Sequence, residues 1–581
     1  MKTFTRLLSY LRYEWGLIIS GYLLLIISTG LSIYTPVIAS HIIDYVSEQV
    51  SYNASINMIL IMEQFGLFLI ITFISAILGY IGYIMLAYGS NKISKVIRDE
   101  AHEHMQKLPV SYFDDIPAGK IAARIVNDTE VLRENFFANF TTQILINTLT
   151  ILGVYIAMFS ISPVIASWLL LLLPIIIVWQ VAYSKKIQPI NKLWRESVSD
   201  INSKIAEIVQ GVSIVQLFNQ QEHMDDEFEK INLTWMGSRK DSLKYEGFFT
   251  WNLSGLLKRI VTFSVMLFIG TQFTSGMLSI SIGTLYIVIN YVDRLFDPIT
   301  MIIRLLTVLQ QALSAGIRVF ELMDTPIEKD SPKKLVITHG DVEFKNITFA
   351  YKEGNDVLHN LNFKVSEGET IGLVGHTGSG KSSIINLLFR FYDPQQGQII
   401  IDDQVIENYN RESIRERMGI VLQEPYLFSG TIATNISMNN PDITDEMVMD
   451  ALIKVGAKPM IDKMEKGIHA EVVEKGQAFS SGERQLISFA RTLANNPKIL
   501  ILDEATSHID TETEEIIQHA MQVVKEGRTT FIVAHRLSTI KDANQIIVMN
   551  NGQIQEQGTH TELVNFGGLY TQMYQMQAKI S

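Results

Sequence analysis

Eight residues in the second half of the chain have the composition and spacing of a phosphate cradle. They read Gly375-His376-Thr377-Gly378-Ser379-Gly380-Lys381-Ser382, and Ser383 opens a helical pattern that runs to Phe391. The apolar run Ile371 to Val374 precedes them. Strand, glycine-rich turn and helix form the context such a loop requires. Glycines let backbone N–H groups close around phosphate oxygens, and the helix N-terminus favours negative charge. Lys381 is placed to reach β- and γ-phosphates, and Ser382 to hold Mg²⁺. These residues predict binding of a nucleoside triphosphate, with ATP as the expected nucleotide.

A second apolar run, Ile499 to Leu502, ends in Asp503-Glu504. An acid at the end of a buried strand can reach the Mg²⁺ shell, which is the role expected of Asp503. Glu504 beside it is placed to orient or deprotonate an attacking water. His535 follows a third apolar run, Thr530 to Ala534, where it would contact the γ-phosphate. The expected reaction is attack of water on that phosphate.

These residues need a sheet to hold them. From about Asp341 onward, short apolar strands alternate with helical patterns, as expected of an α/β P-loop NTPase domain over 341–581. The segment 325–340 carries two prolines and mixed charges and reads as a linker. The residues before it, 1–324, have a different character. Six apolar runs there approach the ~20 residues needed to span a bilayer. They lie near Leu17–Ser40, Phe65–Tyr88, Ala138–Ile161, Val164–Val181, Phe248–Gln272 and Ile280–Ile299. The expected fold class is therefore an all-α membrane domain of six helices followed by an α/β ATPase domain.

Lys and Arg set the orientation. The loop His41–Gln64 has neither, nor do Ser162 and the loop Phe273–Ser279. The two loops on the other side are long and basic, so both termini are expected in the cytoplasm. Met1–Trp15 reads as an amphipathic entry helix at the inner interface. The long loops keep helical spacing, with breaks near Pro109–Gly119 and Gly211–Gln221. Each break would form a short helix at the tip of a rod. Lys258, Arg259, Asp293, Arg294 and Asp297 interrupt the last two spans. They are expected to lie near the inner interface, to pair with one another, or to line a path. Pro174 is expected to kink the fourth span.

Composition narrows the function further. Of the 581 residues, 47% are hydrophobic and only 19% charged, which argues against a wholly soluble or disordered chain. A net charge of −12 argues against nucleic acid as a partner. The chain has no cysteine, which excludes disulfides, thiolate metal sites and thiol nucleophiles.

Together these residues resemble the ATP-binding cassette (ABC) transporters, specifically exporters with six spans fused to one ATPase. The resemblance covers nearly the whole chain. It implies that Tyr351, in Thr348-Phe349-Ala350-Tyr351, stacks on adenine. It implies that Gln423, in Leu422-Gln423-Glu424-Pro425, contacts Mg²⁺ and links the site to the membrane domain. Ser507 and Asp510 match the D-loop, with His508 where a small residue is usual. The tips of the long loops would be coupling helices that meet the ATPase domains.

One motif departs from the family. The signature, usually Leu-Ser-Gly-Gly-Gln, reads Phe479-Ser480-Ser481-Gly482-Glu483. Ser481 puts a side chain where close backbone approach to the γ-phosphate is needed, and Glu483 adds a carboxylate near an anion site. In the family each ATP lies between one chain's P-loop and the other's signature. The pattern thus resembles the catalytic subunit of heterodimeric bacterial multidrug exporters. The implied partner is a second half-transporter with an intact signature and a weakened catalytic base. A homodimer with a tolerated variant is the alternative. The expected function is ATP-driven export of hydrophobic or amphipathic small molecules across a bacterial plasma membrane, in contact with membrane lipid. The alternatives are a lipid, peptide or siderophore cargo, or an ATP-dependent sensor without transport.

Overall fold

The computed structural model describes residues 2–248, 254–274, 281–328, 330–352, 354–503, 511–534 and 537–578. The chain divides into two units. One comprises Met1–Lys107 and Pro117–Pro326, the other Leu108–Ile116 and Ile327–Ser581.

The first unit is helical. Helix Lys2–Tyr10 buries Leu7 and Tyr10 and leads through the turn Leu11–Glu14 into Trp15–Ser51. Long helices follow at Met58–Gln106, Thr141–Ile161, Pro163–Gln210, Gln221–Glu246, Ser254–Thr274 and Ile282–Asp324. Helix Met58–Gln106 has 49 residues. At 1.5 Å per residue that is about 74 Å, more than twice the ~30 Å hydrocarbon core. The rods therefore continue past the bilayer, as their periodicity predicts. The turn at Ser162 is capped by its own hydroxyl, which accepts from the Ile165 N–H at 3.5 Å, with Pro163 at the first helical position.

By length and composition, four helices among the described residues can cross a membrane: Lys2–Ser51, Met58–Gln106, Ala118–Ile161 and Ile282–Asp324. The other two expected spans fall in Pro163–Gln210 and Ser254–Thr274. Side chains at 171–173 and 175–177 in the former, and residues 249–253 and 275–280 around the latter, lie outside the described residues. Lys258 and Arg259 also dilute the apolar character of the short helix Ser254–Thr274. Helix Pro163–Gln210 runs without interruption through Pro174.

Close packing in this unit rests on small residues. A Cβ on Gly82 would lie 2.9 Å from the Gly21 carbonyl oxygen. Ser28 and Ser75 donate to each other's carbonyls at 2.8 and 2.9 Å, which holds the first two long helices together. Three of the charges in the last spans have partners. Lys258 pairs with Asp293 at 3.2 Å. Arg294 donates to the Ser32 carbonyl at 2.8 Å. That carbonyl is the one left without a helical donor by Pro36, four residues on, since proline has no N–H.

The second unit is α/β. Its strands are β1 Val342–Ala350, β2 Asp356–Val365, β3 Thr370–Gly375, β4 Gln396–Ile401, β5 Gln404–Val405, β6 Met418–Val421, β7 Gly430–Thr431, β8 Glu471–Val472, β9 Ile499–Asp503, β10 Thr529–Val533, β11 Gln545–Asn550 and β12 Gln553–Gly558. One sheet has the order β2-β1-β4-β5 and is antiparallel. The larger sheet has the order β12-β11-β3-β10-β9-β6, parallel except for β12. Its central strands β3, β10 and β9 are mainly apolar and almost wholly buried because both faces are covered. Val374, Leu500, Leu502 and Ile532 pack into one core, while Leu373, Ile499, Ile501, Phe531 and Val533 pack into the other.

The segment expected as a linker is held along this unit. The Asp402 carboxylate accepts from the backbone N–H groups of Thr338, His339, Gly340 and Asp341, at 2.7, 3.0, 2.7 and 3.0 Å. Burial pushes its carboxyl up, but the four donors together outweigh burial and hold it below the usual aspartate range. Asp402→Ala should cost about 1.5–3 kcal/mol, the usual contribution of hydrogen bonds to a charged group. Because the folded value is depressed, this stabilisation is complete above the unfolded value near 3.9 and fades as pH falls through the folded one. Thermal melts of native and variant chains should therefore differ at pH 7 and converge below about pH 4.

Both breaks in the long loops form short helices, Val110–Asp115 and Val212–Leu217. The first belongs to the second unit. The second leaves Ile214, Leu217 and Phe218 more than 60% exposed.

Candidate functional site

The order of the parallel sheet explains how distant motifs meet. β3 lies between β11 and β10, β10 pairs with β9, and β9 pairs with β6. Leu373 of β3 is level with Val533 of β10, Val533 with Asp503, and Leu502 with Val421 of β6. The ends of these parallel strands thus deliver the glycine-rich loop, Asp503 and the segment carrying Gln423 to one edge. Ligands in open α/β sheets bind outside that edge.

At the end of β3 the loop turns tightly back. A Cβ on Gly375 would lie 2.3 Å from the Met549 carbonyl oxygen and 2.6 Å from Ser379 Oγ, so only glycine fits. Gly378 has φ +83° and nothing within 4 Å of where a Cβ would be. It leaves the backbone open to close approach from outside. His376 and Thr377 are exposed beside it. Gly380 precedes helix Lys381–Leu388 with φ +105°.

Three polar features of this loop fit a bound polyphosphate. Lys381 is only 7% exposed, and its Nζ donates to the loop carbonyls of Gly375 at 2.7 Å and His376 at 3.1 Å. Ser379 Oγ is buried with no hydrogen-bond partner among the described residues. Ser382 is exposed at the start of the helix, while Ser383 is buried. Asp503 terminates β9, and Gln423 is exposed beyond β6. An oxygen set of hydroxyl, carboxylate and amide suits a hard divalent ion such as Mg²⁺.

Tyr351 follows β1 and is 43% exposed. Its hydroxyl lies 3.1 Å from Ser383 Oγ and accepts from Asn386 Nδ2 at 3.0 Å, which ties the ring to the helix after the glycine loop. Phe349 and Tyr392 meet it edge to face, with centroids at 4.8 and 4.9 Å. Tyr392 in turn donates to the Asp114 carboxylate. Nothing in the sequence reading marked Tyr392 or Asp114. The available signal was the position of Tyr392, four residues past helix Lys381–Leu388.

The signature segment has a well-defined local geometry. Phe479 is buried, and Ser480 caps helix Ser481–Ala494. Ser480 Oγ accepts from the Glu483 N–H at 3.2 Å, and the Glu483 carboxylate accepts from the Ser480 N–H at 2.8 Å. This reciprocal pair is a capping box, a Ser-x-x-Glu pattern that the sequence displays openly. Glu483 is therefore a helix cap as well as a charge near an anion site. Ser481 is exposed and Gly482 buried at the same helix start. Glu504, Ser507, Asp510 and His535 lie outside the described residues, as does His508.

Comparison with known proteins adds to this geometry. Residues 18–299 match the family described as the ABC transporter transmembrane region, and residues 358–507 match the ABC transporter family. A probable multidrug resistance ABC transporter ATP-binding/permease protein of Bacillus subtilis is 43% identical over 523 residues, covering 90% of this chain and 77% of that one. A putative ABC transporter ATP-binding protein of Streptococcus pneumoniae is 38% identical, covering 99% of this chain and 97% of its own. A fatty acid ABC transporter ATP-binding/permease protein of Mycobacterium bovis is 34% identical over 82% of this chain and 75% of that one. Among solved structures, a bacterial Atm1-family ABC exporter with ATP bound superposes with a TM-score of 0.80 at 25% identity, covering 97% of this chain and 98% of that one.

Proposed function

This chain belongs to the ABC transporters, membrane proteins that couple ATP hydrolysis to transport, and from that premise we propose that it exports hydrophobic or amphipathic small molecules as one half of a two-chain machine. The observation that carries the ATPase part is the loop at 375–382, with its open Gly378, its orphaned Ser379 hydroxyl and the Lys381 amine held at its centre. Lys381 would shift from the loop carbonyls to the β- and γ-phosphates. Tyr351 would support the adenine. Ser382, Gln423 and Asp503 would hold Mg²⁺, which supplies charge neutralisation at the phosphates when bound. Glu504 would take the proton of the attacking water, and His535 would contact the γ-phosphate. The cargo class draws support from the names of relatives, multidrug resistance in one and fatty acid in another. Fatty acids are amphipathic.

The two-chain part rests on two features. The tip helix Val212–Leu217 carries an apolar surface, Ile214, Leu217 and Phe218, that its own unit leaves in solvent. A second subunit is the economical cover for it. The signature supplies the other. In the family it faces the nucleotide held by the other chain. Ser481 adds bulk there, and the Glu483 carboxylate occupies the Ser480 N–H that would otherwise favour an anion. The site completed by this signature is then the weak one. The site at Lys381 would be completed by the partner's signature. The Lys and Arg of the long loops support cytoplasmic termini in a bacterial plasma membrane.

The test is Mg²⁺-ATPase activity in lipid nanodiscs, with this chain alone and with the product of the neighbouring gene. Activity is expected only in the pair. Full activity from this chain alone overturns the heterodimer. A second expectation concerns the signature. Ser481→Gly with Glu483→Gln should raise the activity of this chain alone at least about fivefold, because each relieved clash or repulsion is worth about 1 kcal/mol. Gln at 483 retains the capping box, so melting temperature should not change. No gain in the double variant would remove the signature from the argument.

A further inference from the structure

The first two long helices carry a groove that neither the nucleotide site nor the proposed transport cycle uses. It holds about 510 Å³ between the stretch 15–24 of helix Trp15–Ser51 and Met85 of helix Met58–Gln106. Trp15, Ile19 and Leu23 recur every four residues along it and are 61, 56 and 53% exposed, so this face is left uncovered by the unit's own packing. Gly16 has nothing within 4 Å of where a Cβ would be. Ser20 returns its hydroxyl to the Gly16 carbonyl, so its one donor is spent within the helix. Small residues thus leave space between large apolar ones. The helices beside the groove are tightly seated, since a Cβ on Gly89 would lie 3.1 Å from Ile18 Cδ1. One end of the groove is charged. Glu14 directly precedes Trp15, and Lys92 lies roughly two turns beyond Met85 on the same stripe of its helix. Lys92 Nζ is 3.2 and 3.4 Å from the two Glu14 carboxylate oxygens and 5.2 Å from the Tyr88 ring centre. Both side chains stay partly exposed, so both charges can be reached from outside.

We propose that this groove binds one phospholipid with an ethanolamine headgroup: an acyl chain lies along Trp15, Ile19 and Leu23, the phosphate meets Lys92, and the ammonium meets Glu14. Both helices are long and apolar enough to cross a membrane, so lipid chains are what the groove meets. Trp15 and Tyr88 at its charged end suit headgroup depth. The headgroup class follows from charge complementarity. A lone cation at the mouth would suit any phosphate, but Lys92 stands beside a carboxylate. A headgroup with one phosphate and one ammonium satisfies both, and Lys92 has three donors to share between Glu14 and the phosphate. A glycerol headgroup brings its phosphate to Glu14 with no cation to offset it. A choline headgroup has no N–H to donate. The orientation proposed above puts the site in the inner leaflet, and the chemistry of the groove does not depend on that orientation.

The test uses the assembled transporter, stripped of lipid in detergent and titrated with phosphatidylethanolamine, phosphatidylglycerol or phosphatidylcholine. Native mass spectrometry reports the first lipid bound. A phosphatidylethanolamine with a diazirine in its acyl chain, photolysed and mapped by peptide sequencing, reports where it lies. The ethanolamine lipid should bind about tenfold tighter than the other two, and the crosslink should fall within 15–24 or on Met85. Glu14→Gln should bring the ethanolamine and glycerol lipids within about twofold of each other. Lys92→Met should weaken both about tenfold. Gly16→Leu places a side chain where the acyl chain would lie and should cut crosslinking at least about tenfold, since it takes the space of several methylenes. None of the three should lower the melting temperature in lipid-free detergent, because the ion pair is partly exposed and leucine favours a helix over glycine. Glycerophosphoethanolamine, the headgroup without chains, should not displace the crosslinker. Equal affinity for all three lipids, or an unchanged preference in Glu14→Gln, overturns the headgroup assignment. Native crosslinking in a folded Gly16→Leu variant, a crosslink that falls elsewhere, or displacement by the free headgroup overturns the groove as the site.

Discussion

Glu504→Gln should abolish measurable ATP turnover in the assembled transporter while leaving ATP binding intact. A positioned general base contributes about 10²–10⁴-fold, and an amide cannot accept the proton. The neighbouring Asp503 ends β9 level with Val533 of β10, and Val533 is level with Leu373 in the strand that leads into the glycine-rich loop. The variant should bind nucleotide with native affinity and hold the two ATPase domains together after ATP is added. Phosphate release and binding of labelled ATP, measured on one preparation, decide the matter. Undiminished turnover within the pair would refute Glu504 as the base. It would point to hydrolysis at the other site, and so against the assignment of this chain as the catalytic subunit.

The second large effect is expected at the other end of the reaction. Lys381→Ala should weaken ATP binding at least about a hundredfold. Two charge-assisted bonds to phosphate are lost, each worth about 1.5–3 kcal/mol, and 1.4 kcal/mol is tenfold in affinity. The fold should survive. The Lys381 amine donates to the carbonyls of Gly375 and His376, both in the loop itself. Lys381→Met keeps the aliphatic stem and controls for packing. Equal loss in both variants, with an unchanged melting temperature, assigns the effect to the charge. Retained affinity in both would mean that the loop backbone alone holds the phosphates.

Much of the site is legible in the residues because its chemistry is local. Glycines at 375, 378 and 380 followed by Lys381 and Ser382 are the pattern by which a backbone can wrap phosphate, and the flanking strand and helix are clear enough to read. The same holds for Asp503 at the end of an apolar strand. The signature was legible only in part. Ser481 and Glu483 stand out as departures, but Glu483 was read as a repelling charge alone. The structure adds its bond to the Ser480 N–H, a short-range pattern that Ser-x-x-Glu announces. Tyr392 and Asp114 could not be paired from sequence, since 278 residues separate them. The fate of Arg294 was equally hidden. One of its partners is the Ser32 carbonyl, which Pro36 leaves without a helical N–H and which Thr35 Oγ1 also reaches, and no side-chain pattern records such a carbonyl.

The sequence alone determined the fold class and the kind of reaction, because each depends on residue type at fixed short spacing. Apolar runs of bilayer length, short apolar strands and a glycine turn act within a few residues of themselves. Only the tertiary structure decided what lies next to what. It placed residues 108–116 with the ATPase fold, and it tied the end of the expected linker to Asp402 by three backbone bonds. It also ordered the sheet as β11-β3-β10-β9-β6, so that motifs about 130 residues apart in sequence share one edge. Such neighbours are chosen by burial of both sheet faces and by satisfaction of stray backbone groups. Those are properties of the whole packed chain, and short-range spacing carries no record of them.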